Sequence, residues 1–337
     1  MPESFIEEVH KSLFHYTGES GLFGILSSQT LWATHHLFLN DKQEMDVFIT
    51  AFKGFLDANY DGPTPEIKIR DIEDFGKILT SHRDEMREKA PAYVTCFCVP
   101  NKSGIKNFEY LNGRLSQWRG YSEDAGYAIE FDTSLLNQLL VCEATKDGDA
   151  KHRYMHGSLS AVAYYSELDK IEFHRDNDED DTTEQLKIKM QELVSMFYAG
   201  KTDRKKQKDN VFMNQYMSKI GECAARIKHY GFHEENEVRI IAFASSKKHL
   251  EGIRAHNSAE IVSAPENIHY RTSDNAPYII LFKEDQCKTI FKKAVKGVIV
   301  GPGEDQERRI VKIRMLLTQH GYDDAVYVRS SNIPYLT

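Results

Sequence analysis

An α+β fold, built on a single mixed or antiparallel sheet with flanking helices, is what the pattern of this chain predicts. Strand-like and helix-like runs follow one another without a regular βαβ period. No G-x-G-x-x-G follows a strand, which argues against a doubly wound dinucleotide fold. The 337 residues are 41% hydrophobic and 28% charged, the balance of a globular protein.

Leu13-Phe14-His15-Tyr16-Thr17 is short, aromatic and β-branched, and so reads as a strand. Turn residues 18–20 lead into a helical face of Leu22, Phe23, Ile25 and Leu26. Leu31–Thr34 reads as a second strand. Asn40-Asp41 then offers a cap for a helix carrying Met45, Phe48, Ile49, Phe52, Phe55 and Leu56. A polar helix is predicted over Ile72–Lys89, a buried strand over Tyr93–Val99 and a loop over Pro100–Gly113. Strands follow at Tyr127–Phe131 and Ala161–Tyr165, with a helix from Thr133 to about Leu140 between them. Residues 174–210 shift in composition: an acidic run at 176–181, a helix over Leu186–Phe197 and a basic run at 201–208. A helix over Phe212–Tyr230 would end at Gly231. Strands at Val238–Ala244, Tyr278–Phe282, Val295–Val300 and Ala325–Val328, with a helix over Ile310–His320, complete the expectation.

Composition excludes several classes. The net charge of −8 argues against a broad nucleic-acid footprint. No stretch approaches the roughly 18 consecutive apolar residues of a membrane helix, so no membrane partner is expected. The five scattered cysteines do not form a disulfide framework, and a cytoplasmic location is expected. Cys96 and Cys98 fall on one face of a strand and read as core thiols. Gly200-Lys201-Thr202 is no P-loop, since its first glycine would be Ser195 inside a helix. Gly301-Pro302-Gly303 reads as a tight turn. His35 and His36 read as solvent-facing loop residues. His229, His233 and Glu237 have metal-like spacing, but a glycine and a strand start interrupt them. No metal is expected.

Three groups could carry chemistry: His15-Tyr16-Thr17, Trp118-Arg119-Gly120-Tyr121 with Tyr127, and Glu234-Glu235-Asn236-Glu237-Val238-Arg239. A carboxylate at the edge of a buried strand can bond ribose hydroxyls or stabilise positive charge growing at an anomeric carbon. Cleaving a nicotinamide–ribose bond needs that carboxylate, a group fixing the ribose and aromatic walls. The bland reading of Glu237 and Arg239 is a surface ion pair, and that of Trp118 a core anchor.

Leu13–Thr17, Leu31–Thr34 with Phe38–Asp41 and Glu44, Ser116–Tyr121, Gly231–Arg239, Ile299–Pro302 and Ser331–Tyr335 occur in order. Together they resemble a widespread bacterial family of unknown function, number twenty-nine seventy-one in the domain-of-unknown-function series. That resemblance spans nearly the whole chain and implies one domain, 1–337, with a charged helical insertion at 174–210. A second resemblance is to ADP-ribosyltransferases, in which an opening-strand His or Arg holds ribose, aromatics flank nicotinamide and a late carboxylate directs transfer.

The second resemblance implies NAD as substrate and an ADP-ribosyltransferase-like fold. Glu237, Glu235 and His15 would be the catalytic residues. His15, Tyr16, Thr17, Asn40, Trp118, Arg119, Tyr121 and Tyr127 would hold the dinucleotide. It also implies an acceptor protein or nucleic acid and, by analogy, work as a toxin or in phage defence. The chain departs from that pattern by joining an opening histidine to Glu-x-Glu and by lacking a Ser-Thr-Ser strand. Two other readings stand beside it. One is a non-enzymatic sensor or partner-binding module. The other is a nuclease holding magnesium on Asp41, Glu44 and Glu237.

Overall fold

The computed structural model describes residues 5–39, 44–59, 69–77, 79–80, 92–100, 107–121, 126–144, 157–166, 173–174, 182–203, 210–243 and 268–334. Ten of its strands form one sheet. β1 (Ser12–Thr17), β2 (Leu31–His35), β3 (Ala92–Cys98) and β4 (Tyr127–Asp132) lie at its centre. β5 (Gly157–Ala161), β9 (Glu237–Phe243), β10 (His269–Tyr270), β11 (Pro277–Leu281), β12 (Val295–Val300) and β13 (Tyr327–Ser330) complete it. All pairs are antiparallel except β12 with β13. A three-stranded sheet joins β6 (Ala163–Tyr165), β7 (Phe173–His174) and β8 (Ile227–His229). The fold is the mixed α+β arrangement that the irregular alternation of periods predicts.

The sheet forks at β3. One edge of β3 pairs along its whole length with β9, from Ala92↔Phe243 to Cys98↔Glu237. The other edge is shared: β2 meets it at Thr34↔Val94 and His35↔Tyr93, β1 at Phe14↔Cys98. Between these contacts the end of β1 and the start of β2 both leave β3, joined by the helix Glu19–Ser28. Side chains bridge the gap: the Thr95 hydroxyl donates to the Trp32 carbonyl at 3.0 Å, and a ring nitrogen of His15 lies 2.8 Å from the Cys96 carbonyl.

One face of the sheet packs an apolar core that includes Leu13, Leu31, Ala33, Phe97, Ile129, Ile240 and Ile279. Alternation within each strand puts the next residues on the opposite face. A second core is helical. Phe48, Phe52 and Phe55 of Glu44–Asn59, Phe75 of the helical stretch 69–77, and Leu186, Met190, Leu193 and Phe197 of Thr182–Thr202 are all buried in it. Phe75 stacks on Phe52 at 4.5 Å and meets Phe197 edge-on at 4.9 Å. Thus the helix of segment 174–210 is seated in a core shared with residues far from it in sequence. The charge runs at 176–181 and 204–208 lie outside the described residues.

Several expectations need correction. The stretch Pro100–Gly113 is not all loop, because Phe108–Asn112 is a short helix. The helix expected to run to Tyr230 is Asn210–Ala224, and the chain then turns into β8 and a 3₁₀ turn, Tyr230–Glu235. Gly231 is therefore no helix cap. Ala225 and Ile227 alternate with Arg226 and Lys228, a period-2 signal that a helical reading overrides. Ala161–Tyr165 divides at Val162 between the two sheets. His35 and His36 are not solvent-facing: both are buried, with rings stacked at 4.9 Å.

Phe75→Ala should cost about 3–5 kcal/mol of stability, as truncation of a packed core aromatic does. Urea unfolding of the full chain checks it, and a loss under about 1 kcal/mol would mean that these helices do not share a core.

Candidate functional site

A cavity of about 960 Å³ opens at the fork. His15, Tyr16 and Thr17 of β1, Cys96 and Cys98 of β3, and Glu235, Glu237 and Arg239 around the start of β9 line one end of it. Gln117 and Tyr121 enter from the helix Leu115–Tyr121 and Lys228 from β8.

Strand geometry places the charges. Glu237 and Arg239 are two apart on β9 and share a face, while Val238 and Ile240 turn into the core. Their β3 partners on that face are Cys98 and Cys96. Glu235 ends the 3₁₀ turn, and Asn236 in the left-handed region at φ 43° redirects the chain into β9. The Glu237 amide donates to the Tyr164 hydroxyl at 2.8 Å, fixing that entry.

The Glu237–Arg239 pair is buried rather than superficial, at 2% and 1% exposure. Arg239 reaches Glu44 with both terminal nitrogens, at 2.6 and 3.1 Å, and Glu237 at 3.0 Å. It also donates to the Ala225 carbonyl at 2.8 Å. Lys228 completes the cluster, 2.6 Å from Glu235 and 3.4 Å from Glu237. Removing such charges from water is costly unless they are paired in this way.

Protonation follows from the packing. Burial pushes the Glu237 pKa up, but the neighbouring Arg239 and Lys228 charges outweigh it and hold the carboxyl down at about 2. Glu237 is therefore an anion at neutral pH. Burial raises the pKa of Glu44 and of Glu235. Burial and the Glu237 charge push the Cys96 thiol far up, so it is a poor nucleophile. Burial lowers the His15 pKa and favours the neutral ring. A carbonyl oxygen can only accept, so Nδ1 carries the proton donated to Cys96, and the lone pair sits on Nε2.

His15, Tyr16, Thr17, Tyr121, Glu235 and Glu237 of the expected set thus converge on one cavity. Trp118, Arg119 and Tyr127 do not line it. Trp118 is enclosed, its indole N–H donating to the Asn112 carbonyl at 3.0 Å and its ring against Tyr16 at 4.8 Å. Tyr127 is buried beneath Arg309, whose Nε donates to its hydroxyl at 3.2 Å. Arg119 is exposed on the far side of its helix. Asn40 and Asp41 lie outside the described residues. Lys228 went unrecognised as a partner of the acidic motif, and Glu44 was grouped with Glu237 only as a magnesium ligand, not as the partner of Arg239.

The stretch from Gln117 to Arg239 carries most of the charged end. Residues 117–240 match the model of a family described as a protein of unknown function (DUF2971). The resemblance to that family is borne out over this stretch, which holds Gln117, Tyr121, Tyr164, Lys228, Glu235, Glu237 and Arg239. His15, Glu44 and the β2 wall fall before it. No curated protein and no solved structure matches the chain. Among the described residues no helix is long and apolar enough to cross a membrane, and no group of three or more His, Cys, Asp and Glu is arranged to hold a metal ion.

Two outcomes test the cluster. Arg239→Met should destabilise the protein by about 3–5 kcal/mol, because two buried carboxylates lose their partner. A Glu237 pKa depressed from 4.5 to about 2 means that its stabilisation is complete above 4.5 and fades as pH falls toward 2. In urea titrations the stability gap between the protein and Glu237→Gln should narrow across that window. A gap independent of pH would overturn the assignment.

Proposed function

We infer that this chain is an enzyme acting on NAD, resembling ADP-ribosyltransferases. It would break the nicotinamide–ribose bond and pass ADP-ribose to a protein, a nucleic acid or water. The observation that carries the reading is a buried carboxylate held ionised, Glu237, in the same cavity as a neutral histidine, His15, and an aromatic ring, Tyr121.

Chemistry supports the grouping. Bond breaking leaves positive charge on the anomeric carbon, and a fixed carboxylate in a site shielded from water lowers the energy of that charge. Ion pairing prevents Glu237 from taking up a proton when substrate displaces water. Nε2 of His15 can accept a hydrogen bond from a ribose hydroxyl, which orients the sugar without adding a second positive charge. Tyr121, 38% exposed at the cavity wall, offers a face for the departing base. Glu235, bonded to Lys228, would orient an acceptor. A toxin or phage-defence role would follow from such chemistry if the acceptor were an essential molecule.

The magnesium-nuclease reading has less support. Both oxygens of Glu44 are taken by Arg239, and a cation at Glu237 would compete with Arg239 and Lys228. A non-enzymatic binding module is the second reading, favoured by the exposed rings of Trp32 and Tyr270, which line the cavity away from Glu237.

With purified protein, nicotinamide release from NAD should fall about a hundredfold or more in Glu237→Gln, the scale on which one electrostatic group matters. Circular dichroism establishes that the variant is folded. Release unchanged in the folded variant would end the transferase reading. No NAD-dependent thermal shift in the unaltered protein would favour the binding module.

A further inference from the structure

The end of the cavity away from Glu237 is aromatic and cationic, and no role has yet been given to it. β2 and β11 run antiparallel, with Tyr278 opposite Thr34 and Ile280 opposite Trp32. Leu31, Ala33, Ile279 and Leu281 turn into the core. The alternate residues Trp32, Thr34, Tyr278 and Ile280 therefore form one face, and all four line the cavity. Trp32 lies flat on Tyr278, ring centres 4.1 Å apart and planes 20° from parallel.

Trp32 nevertheless keeps 49% of its surface exposed, and Phe38 and Tyr270 in the same cavity keep 49% and 64%. Exposed rings converging on one concavity mark a binding surface. Lys283 and Lys288 line the same end, as does Arg271, whose guanidinium is held by Asp274 at 2.8 and 3.1 Å. At the opposite end the two lining cations, Lys228 and Arg239, are already paired with the two lining carboxylates, Glu235 and Glu237. Phosphate groups are thus drawn toward Trp32 and away from Glu237.

We propose that Trp32, backed by Tyr278, is the platform on which the adenine of the dinucleotide stacks, with the lysines of the same end, Lys283 and Lys288, receiving its phosphates. The assignment rests on the NAD reading of this cavity. A dinucleotide has two ring systems. The one that leaves must sit beside Glu237, so the other needs a stacking surface at a distance, with cations between or beside. Bases stack on indole and phenol rings irrespective of sequence, and a ring already held by a second ring loses little freedom on binding.

Titration of the purified full chain with AMP, ADP-ribose and nicotinamide mononucleotide tests this, by calorimetry and by tryptophan fluorescence. The chain has two tryptophans, Trp32 and the enclosed Trp118, so quenching reports on Trp32. AMP and ADP-ribose should bind and quench. Trp32→Ala should weaken both about tenfold or more, Trp32→Phe should retain most of the affinity, and nicotinamide mononucleotide should change by less than about twofold. Equal AMP affinity in Trp32→Ala and the unaltered protein would overturn the platform. So would binding of nicotinamide mononucleotide without any binding of AMP. Trp32-dependent AMP binding without nicotinamide release from NAD would uphold the platform and defeat the transferase reading.

Discussion

Arg239 is the residue around which the site is organised. Its guanidinium joins Glu44 at the start of a helix, Glu237 on its own strand and the Ala225 carbonyl at a helix end. Three separate segments are thereby held at one point under the sheet. A planar cation with a fork of donors suits this task, which a single ammonium could not perform. The same contacts keep Glu237 ionised, so support and chemistry are two aspects of one arrangement. Lys228, three residues after Ala225, ties in the turn that carries Glu235 and makes a second contact with Glu237.

The fork in the sheet is the second constraint. A strand whose edge is shared by two others must leave part of that edge without backbone partners, and an unmet carbonyl there is costly. His15 answers for Cys96, and Thr95 answers for the Trp32 carbonyl. The gap becomes a polar cleft, with the cavity in front of it. On the other side, Trp118 is wedged under the turn at Gly301, where a side chain would strike the Gly126 carbonyl at 2.7 Å. Ser331 closes the same region by donating to the Asn112 carbonyl at 2.7 Å. The motifs that carry the family resemblance therefore divide between lining the cavity and building its support.

Much of this was legible in the residues alone. β1, β2, β3, β9, β11 and β12 follow alternation or short apolar runs, and His15 and Glu237 stand out because they are polar groups entering such runs. Trp118 and Tyr127 were misplaced relative to the cavity because periodicity says which residues share a face, not which face turns to a cleft. Lys228 was hidden by a helical pattern that continues smoothly into β8. The Trp32–Tyr278 stack depends on strand pairing between distant segments, which local spacing does not encode. The burial of His35 and His36 has the same cause: β3 and its neighbours cover them.

The Glu44–Arg239 contact spans 195 positions of the chain. Its two halves do not coexist on a growing polypeptide until 195 residues beyond Glu44 have been added. At ordinary synthesis rates the interval between them is roughly 10 to 40 s. For that time Glu44 has no guanidinium to face and the cleft has only one wall. Loop closure over such a distance is slow and comes late in folding. A growing chain that has not reached Arg239 therefore lacks the group that holds Glu44 and Glu237 together at the floor of the cavity.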